Sequence, residues 1–380
     1  MKIMLCAVEP SGDAHGAALM ASLKRLAPEV QFTGCGGALM AAEGLESLFP
    51  IHPFAVIGPA GALKALPAAL AGASRLAQAA AAADVDAAVL IDGWSFARIA
   101  ARKIRRRSPG TKLFKYVAPQ VWASRPHRAK TLAGLFDGVL TLFEFEVPYF
   151  EKEGVRTKCV GNGLFQEALR SRGDAAAFRA RHGLDAAPLL AIAPGSRSGE
   201  IARLMGPFRR TVELAAEGRP ELRIAVSVAP SVAPAVRAAL QDWPADTIAV
   251  PADERFDLFA AADVALAASG TVTTELAIHE TPTVVAYRVH WAAAAWARRV
   301  YLLDHVSMVN IASGRAVMPE FLQEECRPEL MAEALTALLD DPAAREAQRG
   351  AFPAALEKLG AGGAHASDLA ARTILEWIGG

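Results

Sequence analysis

The chain has no surplus of charge of either sign: 40 lysines and arginines stand against 40 aspartates and glutamates in 380 residues. An evenly basic surface for nucleic acid is thereby excluded. Cysteine is scarce, and Cys6, Cys35, Cys159 and Cys326 lie too far apart for a paired metal knuckle or a compact disulfide framework. A reducing compartment follows. Long apolar runs are also missing, because the best candidate, Ala60 to Ala83, is interrupted by Lys64, Pro67 and Arg75. The opening Met1 to Val8 is apolar but short, without an arginine-rich flank or cleavage site, and reads as a first strand rather than a signal peptide. A cytoplasmic protein is expected, unless it rests on a membrane surface. No serine occupies a G-x-S-x-G frame, which removes the hydrolase elbow. His127, His279 and His290 have no partner at metal-ligand spacing, and the acidic Asp84-Val85-Asp86 enters a strand instead of leaving one. Neither a metal nor a cofactor is expected.

What is present is 53% apolar residue content and a repeated alternation of strands and helices. Branched, apolar runs at Lys2 to Val8, Ala87 to Asp92, Lys112 to Val117 and Gly138 to Leu142 alternate with helical stretches, and this predicts a parallel sheet covered on both faces. The order restarts after Phe165 with Leu189 to Ala193, Arg223 to Val228, Val264 to Ala267 and Thr283 to Ala286. Two doubly wound α/β domains facing a cleft are expected, 1–163 and 164–345, joined within Gly163 to Gly183. Residues 346–380 are expected to return to the first domain. The C-terminal helices Pro342 to Lys358 and Ala364 to Ile378 either pack back across the domains or cross to a partner chain in a homodimer. Ligands of such sheets bind beyond the carboxyl ends of the strands, where strand order reverses.

Four loops leave strands with unusual chemistry. Glu9-Pro10-Ser11-Gly12-Asp13-Ala14-His15 opens the first helix, where free backbone amides suit an anionic or hydroxylated ligand, or simply form a tight turn. Gly34-Cys35-Gly36-Gly37 follows the next short strand, but Leu39 stands where a dinucleotide fingerprint needs its last glycine. In the second half, Pro194-Gly195-Ser196-Arg197-Ser198-Gly199-Glu200 offers small residues for close approach to phosphate and an arginine fork, without the lysine of a nucleotide-hydrolysing loop. Ser269-Gly270-Thr271-Val272-Thr273-Thr274-Glu275 supplies hydroxyls, amides and a carboxylate suited to a ribose diol. Together the last two predict a nucleotide diphosphate spanning two helix starts.

Six collinear stretches carry a resemblance: EPSGDAHGA from Glu9, GGALMAAEGLESLF from Gly36, YVAPQVWASRPHR from Tyr116, APGSRSGEI from Ala193, ASGTVTTELAI from Ala268 and PEFLQEECRPE from Pro319. In these the chain resembles the lipid-A-disaccharide synthase family, glycosyltransferase family 19. The resemblance implies a GT-B fold with an N-terminal acceptor domain and a C-terminal donor domain. It also implies inverting transfer of 2,3-diacylglucosamine from UDP to 2,3-diacylglucosamine 1-phosphate, with release of UDP. Gly195, Ser196, Arg197, Ser269, Gly270 and Thr271 would then hold the diphosphate, Glu275 the nucleoside, and Asn310 and Gln323 would lie in the donor cleft. On the acceptor side it points to Glu9, Ser11, Gly12 and Asp13, with Asp92 or His15 as base, or each of these two as a plain turn or helix-start residue.

Three departures fall on the acceptor side. The family's second acid after the strand Ala87 to Ile91 is Ser95 here, its glycine-histidine is Gly161-Asn162, and a glutamate usual near Ala60 to Ala62 is missing. An ordinary synthase, a transferase with a changed acceptor and a non-catalytic nucleotide-sugar binder all stay open. A UDP-sugar epimerase shares the architecture, but PEFLQEECRPE and YVAPQVWASRPHR favour the synthase. Acylated substrates imply contact with anionic lipid on the inner face of the membrane. Ala60 to Ala83 with Arg102, Lys103, Arg105, Arg106 and Arg107 is the expected surface. Trp291 to Tyr301 is a second candidate, or else a core helix with a solvated charged face.

Overall fold

A computed structural model describes residues 1–51, 59–360 and 365–379, without the side chains of 59–65, 292–293, 296–297 and 300. Part of the expected membrane surface, including Ala60, Leu63 and Lys64, therefore lies outside the described side chains. The chain divides into two compact units, Met1–Leu164 with Gly363–Gly380, and Phe165–Gly362.

The first unit holds β1 (Lys2–Ala7), β2 (Gln31–Cys35), β3 (Ala87–Ile91), β4 (Lys112–Tyr116), β5 (Gly138–Thr141) and β6 (Arg156–Cys159). They form one sheet in the order β2-β1-β3-β4-β5-β6, every described pairing parallel. Strand order reverses between β1 and β3, where Ala7 pairs with Ile91, so both strands end level. The second unit holds β7 (Leu189–Ala193), β8 (Arg223–Val228), β9 (Ile248–Pro251), β10 (Val264–Ala268), β11 (Thr283–Tyr287) and β12 (Glu320–Leu322). Their order is β12-β11-β10-β7-β8-β9, again parallel, and reverses between β7 and β10. There Ala193 pairs with Ala267.

The central strands are apolar along their whole length, as strands covered on both faces must be. AAVLI, LLAIA and VALAA are buried at every position. β6, β9 and β12 were not among the expected strands, and each is a sheet edge. Paired on one side only, they are short, carry RTKC, IAVP and EFL, and none is buried along its whole length.

The helix Ala366–Gly379 packs on Pro10–Leu26, where Ser22 Oγ donates to Asp368 Oδ1 at 2.6 Å and Arg25 pairs with the same carboxylate. Trp377 is buried, with its ring 5.5 Å from that of Phe114 and the Arg156 guanidinium 5.0 Å from its centroid. Gly138 makes this possible, because a Cβ there would stand 2.3 Å from the indole. The return to the first unit is shorter than 346–380. Helix Pro342–Lys358 belongs to the second unit, where Gln348 Oε1 accepts from Thr283 N–H at 2.9 Å and Lys358 Nζ donates to Ala312 C=O at 3.1 Å. Polar ties to β11 and to the helix Met308–Ser313 thus hold it to the second unit, and an amphipathic pattern does not encode them.

Trp377→Ala removes the ring that closes the sheet's back. It is expected to destabilise the first unit by about 3–5 kcal/mol, measured by denaturant unfolding, with the transition of the second unit unchanged.

Candidate functional site

In the second unit the two loops at the strand reversal come together as expected. Gly195 has φ +106, and a Cβ there would lie 2.3 Å from Glu200 Oε2, so the turn requires glycine. Glu200, 7% exposed, fixes this turn: Oε2 accepts from Ser196 N–H at 3.1 Å and Arg197 N–H at 3.2 Å, and Oε1 pairs with Arg197 Nη1 at 2.9 Å. With those amides engaged, Ser198 and Gly199 are the helix-start N–H groups that have no carbonyl four residues back in Ser198–Ala216. The amide positions able to meet an anion therefore move past Ser196 and Arg197.

Across the reversal, Ser269, Gly270 and Thr271 lead into the helix Thr271–Ile278. Ser269, Thr271, Ser196, Arg197 and Glu275 line a cavity of about 370 Å³. Burial pushes the Glu275 carboxyl upward, opposed by Arg255, whose Nε lies 3.4 Å from Oε2. Arg255 itself lies over the Phe256 ring at 4.0 Å.

Asn310 and Gln323 do not line this cavity. Asn310 is fully buried, with Nδ2 donating to Met318 C=O at 2.8 Å and Oδ1 accepting from Val317 and Met318 N–H at 2.8 and 2.9 Å. Gln323 exchanges two hydrogen bonds with the Val289 backbone, each 3.2 Å when its amide is set to satisfy both ends. The residue of that stretch that reaches the cavity is Glu320, through one intermediary. Its carboxylate accepts from Ser307 N–H at 2.7 Å and Val306 N–H at 3.1 Å, and Val306 C=O accepts from Ser269 Oγ at 3.0 Å. Glu320 stood in the PEFLQEECRPE motif but was not singled out.

At the reversal of the first unit, Asp92 has φ +51 and is half-buried. Oδ2 accepts from Ser11 Oγ at 2.7 Å and Oδ1 from Gly93 N–H at 2.9 Å. Gly12 lies against it, since a Cβ would meet Asp92 Cβ at 3.4 Å. Glu9 caps the helix Pro10–Leu26 in an extended conformation beside them. His15 is buried with its ring 5.5 Å from Tyr116, and burial drives it down to about 4, with Asp92 opposing and Lys115 adding to the fall. It is neutral near pH 7 and shut from water, which weakens it as a base.

Asp13 does something different from what the sequence suggested. Its carboxylate accepts from Gly37, Leu39 and Met40 N–H at 2.7, 3.0 and 3.2 Å and is 5% exposed, so it ties the second glycine loop to the first helix. Three backbone amides take most of the acceptor positions of its carboxylate, which serves the main chain. Ser95 is exposed in the first turn of Trp94–Arg107. Asn162 is buried, its Oδ1 accepting from Leu164 N–H at 3.1 Å.

Two buried ionisable groups escaped the sequence reading. Lys115 is fully buried at the end of β4 beside Asp92. Glu146, 2% exposed, accepts from Trp122 Nε1 at 2.9 Å and from Leu142 and Phe143 N–H at 3.0 and 3.2 Å, holding the loop after β4 to the end of β5.

The model of the family described as lipid-A-disaccharide synthetase matches residues 3–373. A lipid-A-disaccharide synthase of Paramagnetospirillum magneticum is 43% identical over 384 residues, covering 100% of this chain and 98% of that one. Among solved structures, the UDP-GlcNAc 2-epimerase of Neisseria meningitidis bound to UDP-GlcNAc superposes with a TM-score of 0.62 at 12% identity, covering 99% of this chain and 100% of that one. The calicheamicin glycosyltransferase CalG4 gives 0.60 at 17% identity, covering 100% and 98%. At these identities the structural likeness is one of fold, the α/β GT-B class.

Burial raises the Glu146 carboxyl from 4.5 to about 7 against the pull of its three donors. The unfolded chain then releases this proton before the folded one does, so Glu146's contribution to stability is present below pH 4.5 and lost as pH rises through about 7. Glu146→Gln should flatten that slope between pH 5 and 7, read as the difference in thermal midpoint between variant and parent.

Proposed function

The chain belongs to the lipid-A-disaccharide synthetase family and acts as a UDP-sugar-dependent hexosyltransferase of lipid A synthesis; from that premise we propose how its two strand-reversal sites divide the reaction. The second unit holds the UDP of UDP-2,3-diacylglucosamine. The observation that carries this is the convergence of two helix starts, Ser198–Ala216 and Thr271–Ile278, on one cavity with Arg197 at its rim. The diphosphate meets the Ser198 and Gly199 amides, the hydroxyls of Ser269 and Thr271, and the Arg197 guanidinium. Glu275 takes the ribose diol, and Arg255 with Phe259 borders the base.

The first unit handles the acceptor, 2,3-diacylglucosamine 1-phosphate. Asp92 removes the proton of the attacking hydroxyl, Ser11 holds the carboxylate, and Glu9 borders the sugar. The acceptor oxygen forms its bond to the anomeric carbon from the face opposite the phosphate. The bond to the β-phosphate oxygen breaks, and UDP leaves with its charge met by Arg197 and the helix dipoles. Gly195 and Gly270 let the backbone come close; Asn310, Gln323 and Asp13 act by holding loops.

The exposed Ser95, standing where the family carries an acid, favours a second reading in which the acceptor has changed. Incubation with donor and monosaccharide 1-phosphate separates the two, since UDP release without the disaccharide, or no release despite donor binding, would count against the first reading.

Peripheral attachment to the inner face of the membrane completes the proposal. No helix among the described residues is long and apolar enough to cross a bilayer. Leu66 and Leu70, one helical turn apart on Pro59–Ala83, are exposed at 41% and 43%. Helix Trp94–Arg107 lies alongside and exposes Arg102, Arg106 and Arg107, whereas Arg105 is engaged by Asp137 at 2.8 Å. Leu66→Ser with Leu70→Ser is expected to reduce flotation with anionic vesicles, and unchanged flotation removes this surface.

For the chemistry, Asp92→Asn is expected to lower kcat by about 10²–10⁴-fold with the donor KM unchanged. Full activity in Asp92→Asn would take that residue out of the mechanism, and a gain in Ser95→Asp would place a second acid there.

A further inference from the structure

The ends of β3 and β4 carry two left-handed residues, Asp92 at φ +51 and Val117 at φ +61. For a β-branched side chain this region is a true outlier, sustained only where surroundings over-determine it. One group contacts both. Lys115, 0% exposed, brings Nζ to Asp92 C=O at 2.7 Å, Val117 C=O at 2.8 Å, Tyr116 C=O at 2.9 Å and Leu90 C=O at 3.2 Å. An ammonium has three protons to give, and the two left-handed residues receive its shortest bonds. Asp92 N–H is fixed as well, donating to Tyr116 C=O at 2.9 Å. With both backbone groups of Asp92 held, its carboxylate is left facing Ser11 and Gly93 N–H.

We propose that Lys115 is a positioning residue for the transfer reaction: its ammonium clamps Asp92 and Val117 in left-handed backbone and thereby aims the Asp92 carboxylate at the acceptor hydroxyl. This rests on Asp92 being the base. A buried ammonium is costly unless its protons are all taken, and here backbone carbonyls take them. The groups whose charge it feels are Asp92 after β3, Glu9 after β1 and Cys6 on β1, and it acts in turn on His15 of the first helix. Glu9 and Asp92 favour the charged form, while burial, the larger influence, draws Lys115 from 10.5 down to about 8.

The clamp therefore loses its charge as pH rises through about 8, and activity falls there. Stability moves the other way. Between pH 8 and 10.5 the unfolded chain keeps the Lys115 proton that the folded chain has released, so this residue's titration favours folding as pH rises. A merely structural lysine gives no loss of kcat over that interval.

The full chain is assayed for disaccharide formation from pH 6 to 10 in parent, Lys115→Gln, Lys115→Arg and Asp92→Asn, with thermal midpoints and UDP binding as checks on folding. In Lys115→Gln, kcat is expected to fall about 10²-fold, the effect of a misplacement near 1 Å, with donor KM within about twofold and the basic limb gone. In Lys115→Arg, which stays charged, the basic limb moves to higher pH, and this reading stands even where the glutamine variant does not fold. An inactive Asp92→Asn beside folded Lys115→Gln with parental kcat and pH profile overturns the proposal alone. An unmoved limb in Lys115→Arg does the same. A fully active Asp92→Asn overturns the proposal together with the reading beneath it.

Discussion

Where a parallel sheet reverses its strand order, the two neighbouring strands send their helices to opposite faces, and nothing covers their carboxyl ends. This chain has two such places, β1/β3 and β7/β10, where the strands end level or within one residue of each other. Helix starts with open amides, short glycine-bearing loops and backbone in unusual conformations are tolerated there because no crossover has to pass over them. Asp92 with Ser11, and Ser196, Arg197, Ser269 and Glu275, gather at these crevices for that reason.

A carboxylate turned into this fold has two possible fates, and the number of backbone amides it meets separates them. Asp13, Glu200, Glu320 and Glu146 each accept from at least two main-chain N–H groups and act as fasteners of loops. Glu275 and Asp92 differ. Glu275 meets the Arg255 side chain, and Asp92 meets one amide and the Ser11 hydroxyl, so each keeps an oxygen lone pair in reach of a ligand. In the reading proposed above, binding and catalysis fall to the second group, while the first fixes where those carboxylates sit.

The central strands and both phosphate-type loops were legible in the sequence, because full burial demands apolar runs and close backbone approach demands small residues. The rest was written in contacts to the main chain, which leave no residue-type signature at the partner. Lys115 answers to four carbonyls, and any residue at those positions would offer the same oxygens. Asp13 looked like a ligand because its place in the turn matched one, but its partners are amides of Gly37, Leu39 and Met40, far along the chain. Edge strands β6, β9 and β12 and the helix Pro342–Lys358 were hidden for related reasons: half-covered surface and polar ties carry no periodic pattern.

The two described residues that the resemblance marks as acceptor-side departures, Asn162 and Ser95, sit in physically unequal places. Asn162 is 4% exposed and closes its own turn on Leu164 N–H, a local hydrogen bond in which an asparagine serves the backbone. Ser95 is exposed in the first turn of the helix that begins two residues after Asp92, at the open end of β3. An acid there would add negative charge beside Asp92 and raise the cost of ionising both. With serine in its place, Asp92 faces the buried Lys115 charge without a competing carboxylate on that helix turn. The balance of charge around the proposed base is thus set by the buried Lys115 and by Glu9 beside it, with a serine on the helix turn that follows.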